Sequence, residues 1–299
     1  MAINQPIIVS GAHRSGSTWI GKTISEAKGI RYVHEPFNIQ MKVHECPFPY
    51  WFQHFSEKTP SEEKKQARKY LDPFFNFSWS FAFQKLCNGG SFRKRVRRFK
   101  SEWKKKGTRA LIKDPIAIMS LPWLVTNYNA KVIISVRHPA AFVASLKVKN
   151  WAYDFTNYTA QKDLMETYLS DYKKEIEKAL ISNPDIIDQG ILLWNTLYHT
   201  VQQYKQKFPD WYIVTHEALS EQPLEEFRKI FEYLNLTFDK RIEKSIVDST
   251  TAQVASEWSR DASKNIHTWK DRLSNEEIER IKEGTQGVWT KFYKESSWH

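Results

Sequence analysis

Residues 7 to 24 read IIVSGAHRSGSTWIGKTI, a short apolar run that breaks into a glycine-flanked polar loop and then into a helix-like pattern. Ile7, Ile8 and Val9 are too few for a buried helix but suit a central strand of a parallel sheet, covered on both faces. Gly11 and Gly16 bracket a loop with little side-chain bulk. The helix beyond it would aim its unpaired N–H groups, with the hydroxyls of Ser15, Ser17 and Thr18, at one point. That is a cradle for an anion, a phosphate or a sulfate.

Gly11 to Thr18 fits the phosphate-binding pattern G-x-x-x-x-G-K-[ST], except that Ser17 stands in the lysine's place and the positive charge sits at Arg14. Losing that lysine removes the cation that meets the β- and γ-phosphates of a nucleoside triphosphate, which counts against an ordinary ATPase or kinase. After the loop, Ile20, Ile24 and Ala27 fall at helical spacing, and Gly29 is expected to end the helix. A second strand, IRYV, then runs into His34, Glu35 and Pro36.

The stretch KVIISVRHPAAFVASLKVK, residues 131 to 149, repeats the strand-to-helix grammar. Its strand ends at Arg137, Pro139 suits a first helical turn, and Phe142, Val143 and Leu146 form a buried stripe. Ser145 lies two turns further on, so an anion can be held between it and Arg137. Between these signals, ALIKDP (110 to 115) reads as a strand ending in Lys113 and Asp114, with Pro122 in the first turn of a following helix. Asp114 is the one position where an NTPase reading finds a metal-binding carboxylate. Ligands sit at the carboxyl ends of strands in such sheets, which also places Glu35 for chemistry.

The string HRSGSTW resembles the 5′-phosphosulfate loop of the PAPS-dependent sulfotransferases. The pattern of Arg137, His138, Pro139 and Ser145 resembles their 3′-phosphate site. The resemblance implies one α/β domain over 1–299, three-layered around a central parallel sheet in the P-loop-NTPase-like manner. It implies PAPS as donor and PAP as product, no metal, and the hydroxyl or amine of a small molecule or carbohydrate as acceptor. Arg14, Ser15, Gly16, Ser17 and Thr18 would then hold the 5′-phosphosulfate, Arg137 and Ser145 the 3′-phosphate, and Trp19 the adenine. Lys113 and Arg14 would neutralise charge on the bridging oxygen.

The chain departs from the family's cytosolic branch, whose Lys-Thr-His pattern would need a histidine at Pro115. Carbohydrate-directed members use a glutamate in a Glu-Pro context, and HEPF supplies one, so Glu35 is the expected base, with His34 and Asp114 in reserve. The chain is thus closer to the bacterial and carbohydrate-type branch. Residues 211 to 236 read as a strand, a polar turn and a helix opened by Pro223, with His216 and Glu217 where the family has a Tyr-Glu-Asp-Leu-like element. Arg260, Lys264, His267 and Lys270 resemble the family's segment over the nucleotide, although its Arg-Lys-Gly is missing, and Lys264 is assigned to cofactor binding on that basis.

Residues 41 to 108 do not follow the strand–helix rhythm. Their aromatics (Trp51, Phe52, Phe55, Phe74, Phe75, Phe77, Trp79, Phe81, Phe83) suggest an insertion that covers the acceptor site. The insertion ends in FRKRVRRFKSEWKKKGTR, where ten basic residues face one acid, a net of +9 out of the chain's +11. That run could attract anionic substrate, nucleic acid or a membrane surface, or be a solvated helix. No nucleic-acid fold signature accompanies it. Residues 151 to 210 read as helical, and Ile191, Trp194, Leu197, Tyr198 and Val201 mark a core-facing stripe. Ser274 and Glu277 form a capping-box pattern for a terminal helix.

Cys46 and Cys87 have no metal spacing and exclude a disulfide framework by count, and His44 and His54 read as incidental. No apolar stretch reaches the span of a bilayer and MAINQPIIV lacks a secretory layout, so a cytoplasmic setting without a membrane span is expected. Two other readings stay open: a P-loop kinase or NTPase, and a non-catalytic basic module acting through residues 92 to 109.

Overall fold

The computed structural model describes residues 5–41, 45–77, 83, 91–251 and 266–299. Among these described residues the five strands are β1 (Ile7–Gly11), β2 (Ile30–His34), β3 (Arg109–Lys113), β4 (Lys131–Val136) and β5 (Tyr212–Thr215). They form one sheet in the order β2-β3-β1-β4-β5, and every pairing is parallel. Ile8 lies opposite Ile112 on one side and Val132 on the other, and His34 lies opposite Lys113. The strand order reverses around β1, so the tips of β3 and β4 flank the loop that leaves it.

Side chains alternate across the sheet and divide the core in two. Ile7, Val9, Leu111 and Ile133 pack with Ile20 and Ile24 of α1 (Ser17–Ser25) on one face. Ile8, Ile112, Val132 and Ile134 belong to the opposite core. Each such side chain contributes about 1.5–3 kcal/mol by leaving water.

The helices between sheet edges are α2 (Ser61–Phe75), α3 (Phe92–Trp103), α4 (Leu121–Tyr128), α5 (Pro139–Lys149), α6 (Thr156–Thr159), α7 (Lys162–Thr167), α8 (Lys173–Ser182) and α9 (Ile186–Lys207). Among the described residues the remaining α-helices are α10 (His216–Glu221), α11 (Pro223–Tyr233), α12 (Lys240–Thr251), α13 (Asn275–Gly284) and α14 (Gln286–Trp289). The stripe on α9 is core: Trp194, Leu197, Tyr198 and Val201 are fully buried, and Ile191 packs at its margin. Ser274 and Glu277 exchange both capping-box hydrogen bonds, and Lys147 of α5 holds the Glu277 carboxylate at 2.7 Å.

Three local expectations are corrected. The first helix stops at Ser25, not at Gly29: the Ser25 hydroxyl donates back to Lys22 O at 2.6 Å, and Gly29, at φ 81°, turns the chain into β2. The expected polar turn after β5 is helical, because the Thr215 hydroxyl accepts the N–H of Ala218 and caps α10. His54 is a structural residue, its buried ring lying between Met119 O and Asp163.

Within the expected insertion, Phe52, Phe55 and Phe75 are core, while His44, Trp79, Phe81 and Cys87 lie outside the described residues. Cys46 is a free thiol. Among the described residues, no helix is long and apolar enough to cross a membrane.

Candidate active site

The loop after β1 depends on two glycines. Gly11 has φ 144°, and a Cβ there would meet Ser135 O at 2.3 Å; Gly16 has φ 89°, and a Cβ there would lie 2.4 Å from His216 Nδ1. Arg14 itself adopts φ 67°. Helix α1 then starts with no side-chain cap and no acid in its first turn. Its N-terminal N–H groups and positive dipole end face the hollow above the sheet.

The tip of β4 closes one side of that hollow. Arg137 donates through an η nitrogen to Arg14 O at 2.6 Å, and Arg14 Nε donates to the Ser145 hydroxyl on α5 at 3.1 Å. Arg137 is fixed from behind: its N–H donates to the Tyr198 hydroxyl, and its carbonyl accepts from the Trp194 indole at 2.9 Å. His216 seals the back of the loop; burial first, and then the charge of Arg137, pull its imidazole down to about 3. Trp19 lies edge-on to Phe227 at 5.2 Å and donates its indole N–H to Ser249.

The tips of β2 and β3 close the other side. Lys113, 1% exposed, forms an ion pair with Glu35, and Glu35 N donates to Lys113 O at 2.8 Å. Glu35 adopts φ 47°, and its second carboxylate oxygen accepts from Asn38 at 2.7 Å. Burial alone would raise this carboxyl, but the charge and hydrogen bond of Lys113, followed by Asn38, hold it below the ordinary value. His34 Nε2 stands 3.9 Å from Glu35, and its other ring nitrogen faces the Tyr32 hydroxyl.

Asp114 is fully buried, with one oxygen accepting Phe37 N at 2.6 Å and the other Ile116 N at 2.9 Å. Burial pushes its carboxyl up to about 7 against these two donors. It shapes the turns on either side of the Glu35–Lys113 pair from inside the fold.

These tips enclose a cleft of about 430 Å³. Of the residues singled out from sequence, Arg14, Gly16, Ser17, Thr18, Trp19, His34, Glu35, Lys113, Arg137 and Ser145 all line it. Ser15 is fully buried beneath the loop, and Lys264 lies outside the described residues. The sequence reading missed His13, Trp151, Ser249, Thr268 and Arg272, which also face the cleft. His13 stood inside the motif and Arg272 two residues beyond Lys270, so proximity was the available signal; the others arrive through tertiary packing. Another hollow, of about 520 Å³, is lined by basic and apolar residues of α3 with Lys104 and shares no residue with the cleft.

A model described as the sulfotransferase family matches residues 6–240. The chain belongs to the sulfotransferase family. Among solved structures, this sulfotransferase is similar to the sulfotransferase domain from the curacin biosynthetic pathway, at 13% identity over 96% of this chain and 99% of that one, with a TM-score of 0.50. It is also similar to a mouse sulfotransferase complexed with PAP (13% identity, 98% and 86% coverage, TM-score 0.49) and to a Mycobacterium tuberculosis H37Rv sulfotransferase (15%, 96% and 78%, 0.46). At 13% identity the likeness to the curacin-pathway domain is one of fold: a central parallel sheet flanked by helices. No curated protein sequence matches this sulfotransferase at a significant level.

Proposed function

We propose that the chain is a PAPS-dependent sulfotransferase acting on an acceptor hydroxyl or amine of a small molecule or carbohydrate. The observation that carries this reading is the convergence of Arg14, Arg137 and Ser145 on the uncapped start of α1. Two cations, a hydroxyl and free helix N–H groups at one place suit a doubly anionic nucleotide. Lys264 remains assigned to the nucleotide by the resemblance alone.

When bound, the donor supplies an electrophilic sulfuryl group on a 5′-phosphate leaving group. Arg14, Gly16, Ser17 and Thr18, which line the cleft, would hold its phosphosulfate end, with Ser15 supporting the loop from beneath, Arg137 and Ser145 its 3′-phosphate, and Trp19 its base. Glu35 would accept the acceptor's proton as the new oxygen–sulfur bond forms and the sulfur–oxygen bond to phosphate breaks. Lys113, held beside Glu35, and Arg14 would offset charge on the departing oxygen. His34, half-exposed, is a reserve proton acceptor within reach of the same carboxylate.

The whole chain is read as one unit, because Ser249, Thr268 and Arg272, beyond the matched region, contribute to the same cleft. Trp51 lies in the cleft wall and supports the reading of the inserted segment as an acceptor-site cover. A cytoplasmic location goes with this reading. The kinase alternative loses its metal-binding carboxylate, since Asp114 is fully buried, bonds the backbone N–H groups of Phe37 and Ile116, and does not line the cleft. Calorimetric titration with PAP, and separately with ATP and Mg²⁺, tests the proposal: tight binding of PAP supports it, and binding of only the ATP complex refutes it.

A further inference from the structure

In helix α3, Phe92, Val96, Phe99 and Trp103 follow one another at steps of four, three and four, so all four fall on one stripe with cations on its flanks. Such a stripe ordinarily seats a helix on its fold. Here none of the four belongs to either hydrophobic core, and Phe92 is 71% and Trp103 44% exposed. Phe83, 54% exposed, extends the patch: its ring lies 5.9 Å from that of Phe99, which lies 6.0 Å from that of Trp103. Among the described residues, both exposed phenylalanines and one of the two exposed tryptophans are on this one surface.

The flanks are as unusual as the stripe. Arg93, Lys94, Arg97, Lys100 and Lys104 are exposed and meet no acid among the described residues. The hollow of about 520 Å³ along the helix is lined by Phe92 and Val96 together with four of these cations. Apolar wall and positive charge therefore meet in the same groove.

We infer that α3 is a membrane-docking helix that lies on an anionic lipid surface, its aromatic stripe at the boundary between headgroups and acyl chains and its cations on the lipid phosphates. The inference is independent of the sulfotransferase reading above. Cations alone would suit any polyanion, but a nucleic-acid backbone gives exposed phenyl and indole rings in a continuous stripe nothing apolar to enter. A helix with Lys and Arg on its polar face and Phe and Trp on the other is the form that binds in the plane of a bilayer surface. Charge complementarity supplies the rest: each cation near an anionic leaflet strengthens binding about fivefold, and the effects multiply over the cluster. The helix is also placed for this. From Trp103 the chain passes directly to Arg109 at the amino end of β3, whose other end, Lys113, lines the cleft. Lys105 ties that turn to α2 by donating to Pro73 O at 3.3 Å. This end of α3 is thus anchored at the sheet edge opposite the cleft, and docking there leaves the cleft open.

The test uses the full chain in cosedimentation with vesicles of phosphatidylcholine, alone or mixed with phosphatidylserine. The mixed vesicles should be bound about tenfold or more tightly than the others. Arg97→Gln with Lys100→Gln should weaken that binding about 25-fold, the product of two fivefold losses. Phe92→Ser with Trp103→Ser keeps every cation and should weaken it about tenfold or more. All four side chains are exposed, so melting temperatures should match the wild type's, and the lipid comparison on the unaltered chain decides independently of either variant. Equal binding to both vesicle types, binding to neither, or binding to mixed vesicles that withstands Phe92→Ser with Trp103→Ser overturns the inference. Tighter binding of a DNA or RNA oligonucleotide than of the mixed vesicles overturns it too and makes the surface a nucleic-acid site. Failure to bind PAP would touch the donor reading alone.

Discussion

The side chain of Arg137 hydrogen-bonds the backbone carbonyl of Arg14 at 2.6 Å, joining the tip of β4 to the loop that leaves β1. The donor at one end and the acceptor at the other are 123 residues apart in sequence. A loop that must hold its own arginine at φ 67° is thereby kept in shape by the residue proposed to bind the nucleotide's other end.

Arg137→Lys should therefore weaken PAP binding more than the loss of one contact suggests. A lysine keeps the charge but lacks the planar fork that can reach the Arg14 carbonyl and an anion together. Losing a charged hydrogen bond predicts about a 10- to 100-fold rise in the PAP dissociation constant, read by calorimetry.

Gly16→Ala should disable the loop. The added Cβ meets His216 Nδ1, and the residue keeps a positive φ, a strain of about 1–3 kcal/mol. Thermal melting should show the loss. The double variant with His216→Ala should recover the part due to the collision and not the part due to φ.

Glu35→Gln should reduce turnover by about 100- to 10,000-fold while leaving PAP affinity within twofold. Because Lys113 and Asn38 hold the Glu35 carboxyl below the ordinary carboxylate value, the base is ionised throughout the neutral range. The acid limb of the wild-type kcat profile should thus lie below that ordinary value, and a limb above it would remove Glu35 from the role.

Three imidazoles should make the fold acid-sensitive. Burial pulls His13 to about 4, and His138 and His216 to about 3, while an unfolded histidine titrates near 6.5. Below 6.5 the unfolded chain takes up protons that the folded chain refuses, so this stability is full above 6.5 and lost as pH falls towards 3–4. Asp114, raised to about 7, works in the opposite sense, since its contribution fades as pH rises towards 7. His138, stacked 5.3 Å from Trp269 and almost fully buried, can be replaced by Phe within its aromatic surroundings. The melting temperatures of His138→Phe at pH 5 and pH 7 should lie closer together than those of the wild type.

The strands, the loop and both arginines were legible because each is announced within one local stretch: an apolar run, a glycine pair, a proline at a helix start. Glu35 was legible for the same reason, at the end of a strand. Its partnership with Lys113 was not, since 78 residues separate the two and only the β2–β3 register brings His34 opposite Lys113. The burial of Asp114 was hidden likewise: a carboxylate at a strand end looks the same in sequence whether it faces a ligand or its own backbone. The helix at 216–221 escaped notice because Thr215 caps it through geometry that a polar run does not advertise.

The strand order places β1 between two neighbours of different duties: β3 carries the ammonium beside the proposed proton acceptor, and β4 carries the guanidinium beside the proposed nucleotide anchor. The chemistry on one flank and the grip on the other are therefore separately mutable. A lineage of such chains can exchange the molecule it modifies by altering one flank, while the opposite flank continues to hold the same donor.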